Sequence, residues 1–443
     1  MGRHAAPSGI LVVSTAVRSS GMIRSVSSTA CFNIASSTVA ALGGAVVARA
    51  LGPTLKGDYA AVVSWFGIVL LLGDLGQPAA LCYYVARQPR LARGHVATSR
   101  AMMIISGSVM LVIGLALAPL LARGQPALVL AYRIVFGGSI VSFVGASYQY
   151  ALQARDPGRW NLIRVTQPIL AFAAICGMWA GHALTLDRTA AALVVTSFLQ
   201  LAGAYYFCCQ ARLAPGRASS ALARPLAAYG IRQIASLTPY TLNASLDQLL
   251  LSQLVPAADL GRYAIAVSIT LVPLPVVSAI GFVAFPRLAA QERMTAAGDR
   301  LMKLAVVGSA SIAAVVLLPV VLLAGWLVPL IFGPLYAGAV PLLWILAPGG
   351  VFLACGQVTG DLLRGSRNPT VVAYSQWLAA VATVALLVAL LPALGVTAAA
   401  VASTVSSGIA LAAMTWALWR RPPEIRRHAV LHPDVSQTLS QTL

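Results

Sequence analysis

A stripe of polar residues runs along one face of an apolar segment, 229–254, that is long enough to cross a membrane. Its members recur at steps of four, four, three and four residues: Arg232, Ser236, Tyr240, Asn243 and Asp247. Because an α-helix turns once in about 3.6 residues, this spacing places them on one helix face. An acid that faces lipid costs at least about 2.5–3.5 kcal/mol. The stripe is therefore expected to face other helices or water. Its candidate cavity residues are Arg232, Tyr240, Asn243 and Asp247.

Three further polar residues at membrane depth are candidate cavity residues. Asn33 shares one face of the first apolar segment with hydroxyl-bearing residues, which indicates either a cavity wall or close helix packing through small residues. Arg133 and Arg164 lie a few residues inside the ends of their segments. A guanidinium there either reaches the membrane interface or binds phosphate through two parallel hydrogen bonds. The sequence leaves both alternatives open.

A second group of residues is suited to coupling or gating. Asp74 lies in the stretch GDLGQP, whose glycines and proline weaken a helix and free backbone groups for protein or water partners. Pro273 and Pro275 lie in the middle of the eighth segment and predict a kink, either a static one or a gating hinge. Asp247 belongs to this group as well. A proton or a sodium ion is the candidate coupling ion, and the alternative role of both acids is to brace helices.

The composition places these residues in an all-α integral membrane protein. Of 443 residues, 59% are apolar and 9% charged, and the mean hydropathy is +0.84, which excludes an ordinary soluble domain. About 20 residues span the hydrocarbon core as a helix. Apolar runs of that length predict about twelve transmembrane helices: 28–48, 58–85, 101–122, 128–152, 160–180, 189–211, 229–254, 263–284, 304–328, 337–363, 370–391 and 396–419.

The positive residues behind the net charge of +19 are concentrated in alternate loops between the predicted helices. Alternate loops and the termini carry 22 of the 30 Lys and Arg residues, whereas the opposite loops carry 5. Under the positive-inside rule this asymmetry predicts that both termini are cytoplasmic, and it argues against nucleic acid as a partner.

An internal repeat divides the chain into two six-helix lobes. The stretches LGPTLKGDYAA and LVPAADLGRYAIA share a pattern in which Gly57 and Gly261 are 204 residues apart. LQARDPGRW and LLRGSRNPT echo each other after the fourth helix of each half. Because six is even, the halves are parallel repeats. The predicted organisation is an N-terminal cytoplasmic extension 1–27, a first lobe 28–211, a cytoplasmic linker 212–228, a second lobe 229–419 and a disordered cytoplasmic tail 420–443.

The residues argue against other functional classes. All five histidines fall in predicted termini or loops, so an acid–base enzyme site has no obvious place. The six cysteines lie within the predicted spans without metal-ligand spacing. We expect no enzyme activity, no cofactor and no metal. A scaffolding role explains neither the repeat nor the acids at depth.

The stretches ARALGPTLKGDYA, LLGDLGQPAALCYYVAR and SLDQLLLSQLVPAADLGRYAIA, with FPRLAA downstream, resemble the Wzx-type polysaccharide-transporter branch of the multidrug/oligosaccharidyl-lipid/polysaccharide exporter superfamily. The likeness covers roughly residues 22–420. It implies a MATE-like fold with two lobes around a central cavity. It also implies a flippase that moves a polyprenyl-diphosphate-linked oligosaccharide, such as an O-antigen, capsule or exopolysaccharide unit, to the outer leaflet of the bacterial inner membrane.

The resemblance also implies binding partners and leaves two alternative functions open. It implies a lipid-linked oligosaccharide and membrane lipid as partners, a glycan polymerase or glycosyltransferases as potential ones, and a monomeric protein. A cation-coupled multidrug antiporter of the same superfamily is one alternative, although the first segment, 28–48, lacks the acid that such exporters commonly use. A lipid II flippase is another, although the Arg-Asp pair that such proteins often carry in helix 1 is absent.

We predict that Asp247→Ala or Arg232→Ala abolishes surface polysaccharide while the protein still reaches the membrane, because each removes a polar group from the stripe. Surface polysaccharide and membrane content of the variants are the measurements. Surface polysaccharide at the wild-type level in both variants would contradict a role of the stripe in transport. Resistance to cationic drugs on overexpression serves as the control and is expected to stay constant.

Overall fold

The computed structural model describes residues 9–214, 216–289, 296–365 and 369–420. Side chains are described within these ranges except at 9–27, 235–237, 240, 282–289, 296–299, 365 and 369. The predicted tail beyond residue 420 and the side chains of the predicted extension 1–27 thus lie outside the described residues. The described part of the chain is helical and contains no strand, which confirms the all-α fold class.

Fifteen α-helices account for nearly all of the described chain. They are α1 Gly9–Gly73, α2 Gln77–Arg87, α3 Ala92–Leu121, α4 Pro126–Gly137, α5 Ser139–Arg155, α6 Pro157–Ala180, α7 Leu186–Gln210, α8 Ser220–Leu254, α9 Ala257–Thr270, α10 Leu274–Ala289, α11 Ala296–Leu322, α12 Ala324–Phe332, α13 Ala339–Gly365, α14 Pro369–Leu394 and α15 Val396–Trp419.

Glycine and proline place the breaks between and within these helices. α1 contains the first predicted span and the first part of the second, and Gly52, with φ 73° and ψ 175°, turns the chain between them before Pro53. The chain leaves helical geometry again at residues 74–76, where Gly76 has φ 64°. α9 and α10 meet at an angle of 42° next to Pro273. The predicted weakness at GDLGQP and the predicted kink at Pro273 and Pro275 are both confirmed.

The helices have the length and the surface of membrane spans. In the ranges described above, nine are long and apolar enough to cross a bilayer, or ten if the bent pair α9–α10 is one span. One of the nine is the bent helix α1, which holds the first predicted span and the first part of the second, and α8 is not among them. Val315 and Leu322 expose 71% and 73% of their surface, as expected for side chains that face lipid. The chain is a multi-pass membrane protein, and the number twelve stays a prediction.

The two halves repeat the same helix pairings. In the first half, α1 packs on α6, α5 packs on α2, α3 and α7, and α6 packs on α7. In the second half, α8 packs on α14, α13 packs on α10, α11 and α15, and α14 packs on α15. Each pairing therefore joins corresponding spans of its half. This pattern is what the parallel internal repeat predicts.

The halves meet backbone to backbone at the two glycines of the repeat. A Cβ atom built on Gly57 would lie 1.7 Å from the carbonyl oxygen of Ala257, and one built on Gly261 would lie 2.0 Å from that of Pro53. Ala257 precedes Gly261 by four residues, and Pro53 precedes Gly57 by four residues, so the contact is symmetric. Only a residue without a side chain fits at either position. We call this region the Gly57 end of the molecule.

Polar bonds reinforce the Gly57 end. The Arg123 guanidinium, just after α3, donates to the carbonyl oxygens of Ser252 and of Val255, the latter at 3.3 Å. These carbonyls end α8, where intrahelical donors are missing. The Gln253 amide donates in return to the Leu121 carbonyl at the end of α3, at 3.3 Å. The first and second halves are thus bound to each other at this end.

The halves also touch at the opposite end, which we call the Arg87 end. A Cβ atom on Gly76 would lie 2.1 Å from the Gly230 carbonyl oxygen of α8. The rings of Tyr83 and Tyr229 stack with their centroids 4.7 Å apart. The beginning of α8, which takes in residues 220–228 of the predicted linker, therefore packs on α2 and α3 of the first half.

We predict that Gly57→Ala opens the Gly57 end, because its methyl group would overlap the Ala257 carbonyl. Overpacking of this kind costs about 1–3 kcal/mol. The measurement is the labelling rate of a Val255→Cys reporter by a membrane-impermeant maleimide, after the six natural cysteines are replaced. The matched control is Gly67→Ala on the same helix, where no atom lies within 4 Å of the added group. Equal rates in both variants would contradict the prediction.

Candidate functional site

Asp247 is buried inside the second half, with 4% of its surface exposed. Its carboxylate accepts hydrogen bonds from the Tyr263 hydroxyl of α9, from the Gln248 amide and from Ser403 of α15. Tyr263 itself is fully buried. The acid therefore joins three helices through its side chain, and its described partners are all uncharged. This arrangement supports the bracing alternative for Asp247.

Asn243 lies one turn earlier on α8 and belongs to a different network. Its amide nitrogen donates to Gln376 Oε1 of α14 at 3.1 Å, and its Oδ1 lies 3.3 Å from the Thr383 hydroxyl. The side chain thus links α8 to α14. Unlike Asp247, it reaches an open space.

That space is a cleft between α8, α13, α14 and α15, which we call the amide cleft. Its polar wall contains Asn243, Gln357, Gln376 and Ser407, and Phe352 supplies an aromatic face. The lining has no ionisable side chain. The cleft has room for about one water molecule, which has the hydrogen-bonding capacity that such a wall suits.

The first half carries a cationic counterpart. Arg164 lies seven residues, roughly 10 Å, beyond the start of α6. Its guanidinium donates to Asn33 Oδ1 of α1 and lies 4.4 Å from the centroid of the Trp160 ring. Asn161, one turn away, donates to the Thr29 hydroxyl at 3.0 Å. The structure thus brings two of the candidate residues, Asn33 and Arg164, into direct contact. We call this group the arginine site.

Arg164 forms no ion pair with any residue whose side chain is described. The salt bridges among the residues with described side chains join Arg159 to Asp156, Arg262 to Asp259 and Arg364 to Asp361. A guanidinium has five N–H donors, and an amide oxygen and a ring face use only part of them. The arginine site therefore keeps both net positive charge and donor capacity for an anion.

Asp74 lies at the break between α1 and α2. Its Oδ1 accepts a hydrogen bond from the Gly76 amide at 2.7 Å and so closes the turn at residues 74–76. Tyr150 of α5 interacts electrostatically with both Asp74 and Arg164, which places the acid in the neighbourhood of the arginine site. The turn at residues 74–76 provides a hydrogen-bond partner for one of the two carboxylate oxygens of Asp74. A gating role for Asp74 stays a prediction.

The remaining candidates lie elsewhere. Arg133 of α4 and Arg232 of α8 are both exposed, as expected for side chains that reach the interface. The side chain of Tyr240 lies outside the described residues. Pro273 is buried in the turn before α10, and Pro275 follows in the first turn of that helix. Their proposed role as a hinge stays a prediction.

Several residues of these networks carried no sequence signal when taken singly. They are Gln376 and Phe352 at the amide cleft, Thr383 beside Asn243 and Ser403 beside Asp247. Alignment of the two halves of the repeat at their helix-opening prolines would have identified one of them, Gln376. Pro157 opens α6 and Pro369 opens α14, and the residues seven positions later are Arg164 and Gln376.

Comparison with known proteins identifies one matching family and several solved structures with a similar fold. The family described as polysaccharide biosynthesis protein matches residues 22–292, more than half of the chain. No curated protein gives a significant match. Among solved structures, an inward-facing multidrug resistance MATE family transporter of the MOP superfamily is similar with a TM-score of 0.73, 16% identity, and 87% and 94% of the two chains covered.

Two further structures share the fold. The lipid II flippase MurJ in an inward closed conformation has a TM-score of 0.73 at 9% identity, with 88% of each chain covered. An outward-facing multidrug resistance MATE family transporter has a TM-score of 0.65 at 14% identity, with 90% and 94% covered. The chain therefore has the two-lobed fold of MOP-superfamily transporters and flippases.

We predict that Tyr263→Phe lowers the stability of the protein, because it removes a hydrogen bond to the buried Asp247 carboxylate. The loss of one buried partner costs about 1–3 kcal/mol. Thermal unfolding in detergent is the measurement, and Asp247→Ala is expected to change it in the same direction. The control is Arg232→Ala on the same α8 helix, whose side chain is exposed. A stability equal to that of the wild type in Tyr263→Phe would contradict the bracing role.

Proposed function

The chain belongs to the family of polysaccharide biosynthesis proteins, and we propose from this premise that it moves a polyprenyl-diphosphate-linked oligosaccharide across the bacterial inner membrane by alternating access between its two halves. Such a substrate combines sugar hydroxyls, a negatively charged diphosphate and a hydrocarbon tail. Each unpaired hydroxyl costs several kcal/mol in hydrocarbon, and the charged phosphates cost more. The protein must therefore supply polar partners at membrane depth.

The arginine site carries this proposal. A planar guanidinium binds phosphate through two parallel hydrogen bonds, and Arg164 has donors to spare. Asn33 and the Trp160 ring hold it in place from two sides without cancelling its charge. In surroundings of low dielectric constant, the attraction between this cation and a diphosphate is stronger than in water. The arginine site thus offers what the most costly part of the substrate needs.

The conformation of the two halves is consistent with alternating access. The halves are bound to each other at the Gly57 end through glycine backbone and Arg123. The charge asymmetry of the loops assigns this end to the outer side of the membrane. The higher TM-score to the inward-facing than to the outward-facing transporter supports a closed outer side. Transporters of parallel repeats work by rocking one half against the other.

The same observations weigh against export of cationic drugs. The net positive charge of the arginine site repels a cation and attracts an anion. The matched family is one of polysaccharide biosynthesis, which favours a glycan as the substrate over a drug. A glycan polymerase or glycosyltransferases acting on the same lipid are the partners that this function implies.

We predict that Arg164→Gln reduces translocation at least about tenfold, because it removes the charge-assisted bonds to phosphate, which are worth about 1.5–3 kcal/mol. Translocation is measured in proteoliposomes as the protection of a fluorescent undecaprenyl-diphosphate-linked oligosaccharide from an external quencher. Arg164→Lys, which keeps the charge but loses the planar fork, is expected to retain part of the rate.

The matched control is Arg133→Gln, which removes an exposed arginine of α4 and is expected to keep the wild-type rate. If Arg164→Gln and Arg133→Gln both translocated the lipid at the wild-type rate, the result would contradict phosphate binding at the arginine site. A wild-type protein that leaves the labelled lipid unprotected would overturn the proposed function.

A further inference from the structure

We infer that the first half carries a binding site for the headgroup of an anionic phospholipid, built around Arg100 on its lipid-facing surface. The site lies near the Arg87 end, which the charge asymmetry of the loops predicts to be cytoplasmic. It uses other helices than the arginine site and goes beyond the proposed transport function. Three observations carry the inference: the unused donors of Arg100, its position on the surface of the first half and the charges around it.

The first observation concerns the hydrogen bonds of Arg100. Its Nη1 atom donates to the Tyr148 hydroxyl of α5 at 3.5 Å, which is long for a hydrogen bond. Its Nε atom is buried and makes no hydrogen bond to a described residue. A guanidinium has five N–H donors, and a buried donor without a partner costs free energy unless a ligand or water takes it. Arg100 therefore has donors that the described part of the chain does not use.

The second observation is the position of Arg100 on α3. Thr98 accepts a hydrogen bond from the Ser219 amide, so its face of α3 is turned toward the beginning of α8. Arg100 follows two residues later, about 200° around the helix, and lies on the opposite side. Ile104, one turn further on the same side, is exposed, as expected for a side chain that faces lipid. Arg100 directly precedes the predicted span 101–122, so it lies at the membrane interface, the level of the lipid phosphates.

Two tyrosines lie beside this guanidinium on neighbouring helices. The ring of Tyr148 is buried and meets the ring of Tyr205 of α7 edge to face, with their centroids 5.4 Å apart. Tyr205 is exposed and interacts electrostatically with Arg100. Tyrosine is enriched at the headgroup level of membranes because its ring is apolar and its hydroxyl is polar. α3, α5 and α7 thus bring a cation and two aromatic rings together where headgroups lie.

The third observation is the charge around the site. The three helices hold one acid among them, Asp187, which lies at the opposite end of α7. Asp156, which follows α5, is paired with Arg159 at 3.3 Å. Arg100 forms no ion pair with any residue whose side chain is described. An anion that approaches Arg100 therefore meets an uncompensated positive charge and no carboxylate on these helices.

An anionic phospholipid fits all three observations. A planar guanidinium binds phosphate through parallel hydrogen bonds, and basic pockets between helices on the cytoplasmic side bind phospholipid headgroups. The acyl chains have exposed apolar side chains of α3 and α7 to lie against, among them Ile104, Ile105, Phe198 and Leu199. The diphosphate of the proposed substrate needs a path between the halves, whereas Arg100 faces away from the second half. The ligand is therefore a membrane lipid rather than the substrate.

The test measures lipid binding by native mass spectrometry of the purified full-length protein in detergent, after its bound lipids are removed. The wild type is expected to bind phosphatidylglycerol about tenfold more tightly than phosphatidylcholine, whose choline cation offsets the phosphate charge. In Arg100→Gln the affinity for phosphatidylglycerol is expected to fall about tenfold, to that of phosphatidylcholine, because the charge-assisted bonds are lost. The affinity for phosphatidylcholine is expected to stay within about twofold of the wild-type value.

Two further variants separate this site from diffuse charge and from misfolding. Arg90→Gln removes the same charge from an exposed residue in the turn before α3, and it is expected to bind both lipids within about twofold of the wild-type affinities. Arg100→Lys keeps the charge but loses the planar fork, and it is expected to retain part of the preference for phosphatidylglycerol.

Three results would overturn the phospholipid site. The first is a wild-type protein that binds both lipids equally. The second is an Arg100→Gln variant that weakens both lipids alike, which would indicate a purely structural arginine. The third is an equal loss in Arg100→Gln and Arg90→Gln, which would indicate diffuse attraction by surface charge.

A competition experiment distinguishes membrane lipid from the proposed substrate. Undecaprenyl diphosphate is added to the complex of the wild type with phosphatidylglycerol and is expected to leave the phospholipid bound. Its displacement at a lower concentration than that of phosphatidylglycerol would assign the site to the substrate and overturn the inference. Arg164→Gln is expected to bind phosphatidylglycerol like the wild type, so a failure of the proposed function at the arginine site leaves this result unchanged.

Discussion

Hydrocarbon offers no partner to a polar group, so each polar side chain at membrane depth must find its partner on another helix or in a ligand. Three pairs of polar side chains follow that constraint: Arg164 with Asn33, Asn243 with Gln376, and Asp247 with Tyr263. Each pair joins two helices of one half. These pairs order the helices within each lobe and decide which polar atoms are left over for a substrate.

Contacts between the lobes follow a different logic. Gly57 and Gly261 bring backbone against backbone, where no side chain can adapt and no strong interaction must be broken on separation. Hydrogen bonds join the halves around this contact: Arg123 and Gln253 bind carbonyls at helix ends, Arg49 donates to the Leu330 carbonyl, and the buried Tyr336 hydroxyl donates to the Ala48 carbonyl. Ala48 and Ala61 of α1 also belong to the apolar core of the second half, so separation of the halves at this end exposes apolar surface as well as polar groups.

The repeat places two chemically different polar pairs on one scaffold. Both halves use the contact between their first helix and their fifth span to hold a polar pair. An arginine in α6 makes the pair of the first half cationic, and a glutamine in α14, equally far from the proline that opens its helix, leaves the pair of the second half uncharged. A duplicated fold thus gains chemical asymmetry from one side-chain difference, without a change of architecture.

Local physical properties made much of this predictable from the sequence alone. Hydropathy, the distribution of Lys and Arg, and the glycine and proline signals determine the membrane class, the helix breaks at Gly52, Asp74 and Pro273, and the internal repeat. Tertiary structure decided which way each polar residue faces. Arg232 and Asp247 share a helical stripe, yet Arg232 is exposed and Asp247 is buried between α9 and α15.

The physical reason lies in the neighbours of α8. Before Pro239 this helix packs on the first half, as the contact of Gly230 with Gly76 shows, and after it the helix packs on α14 through Asn243. A helical period determines the spacing of side chains along one helix but not which helix lies opposite them. Only packing determines that. The burial of Asp247, the pairing of Arg164 with Asn33 and the role of Gln376 therefore required the folded molecule.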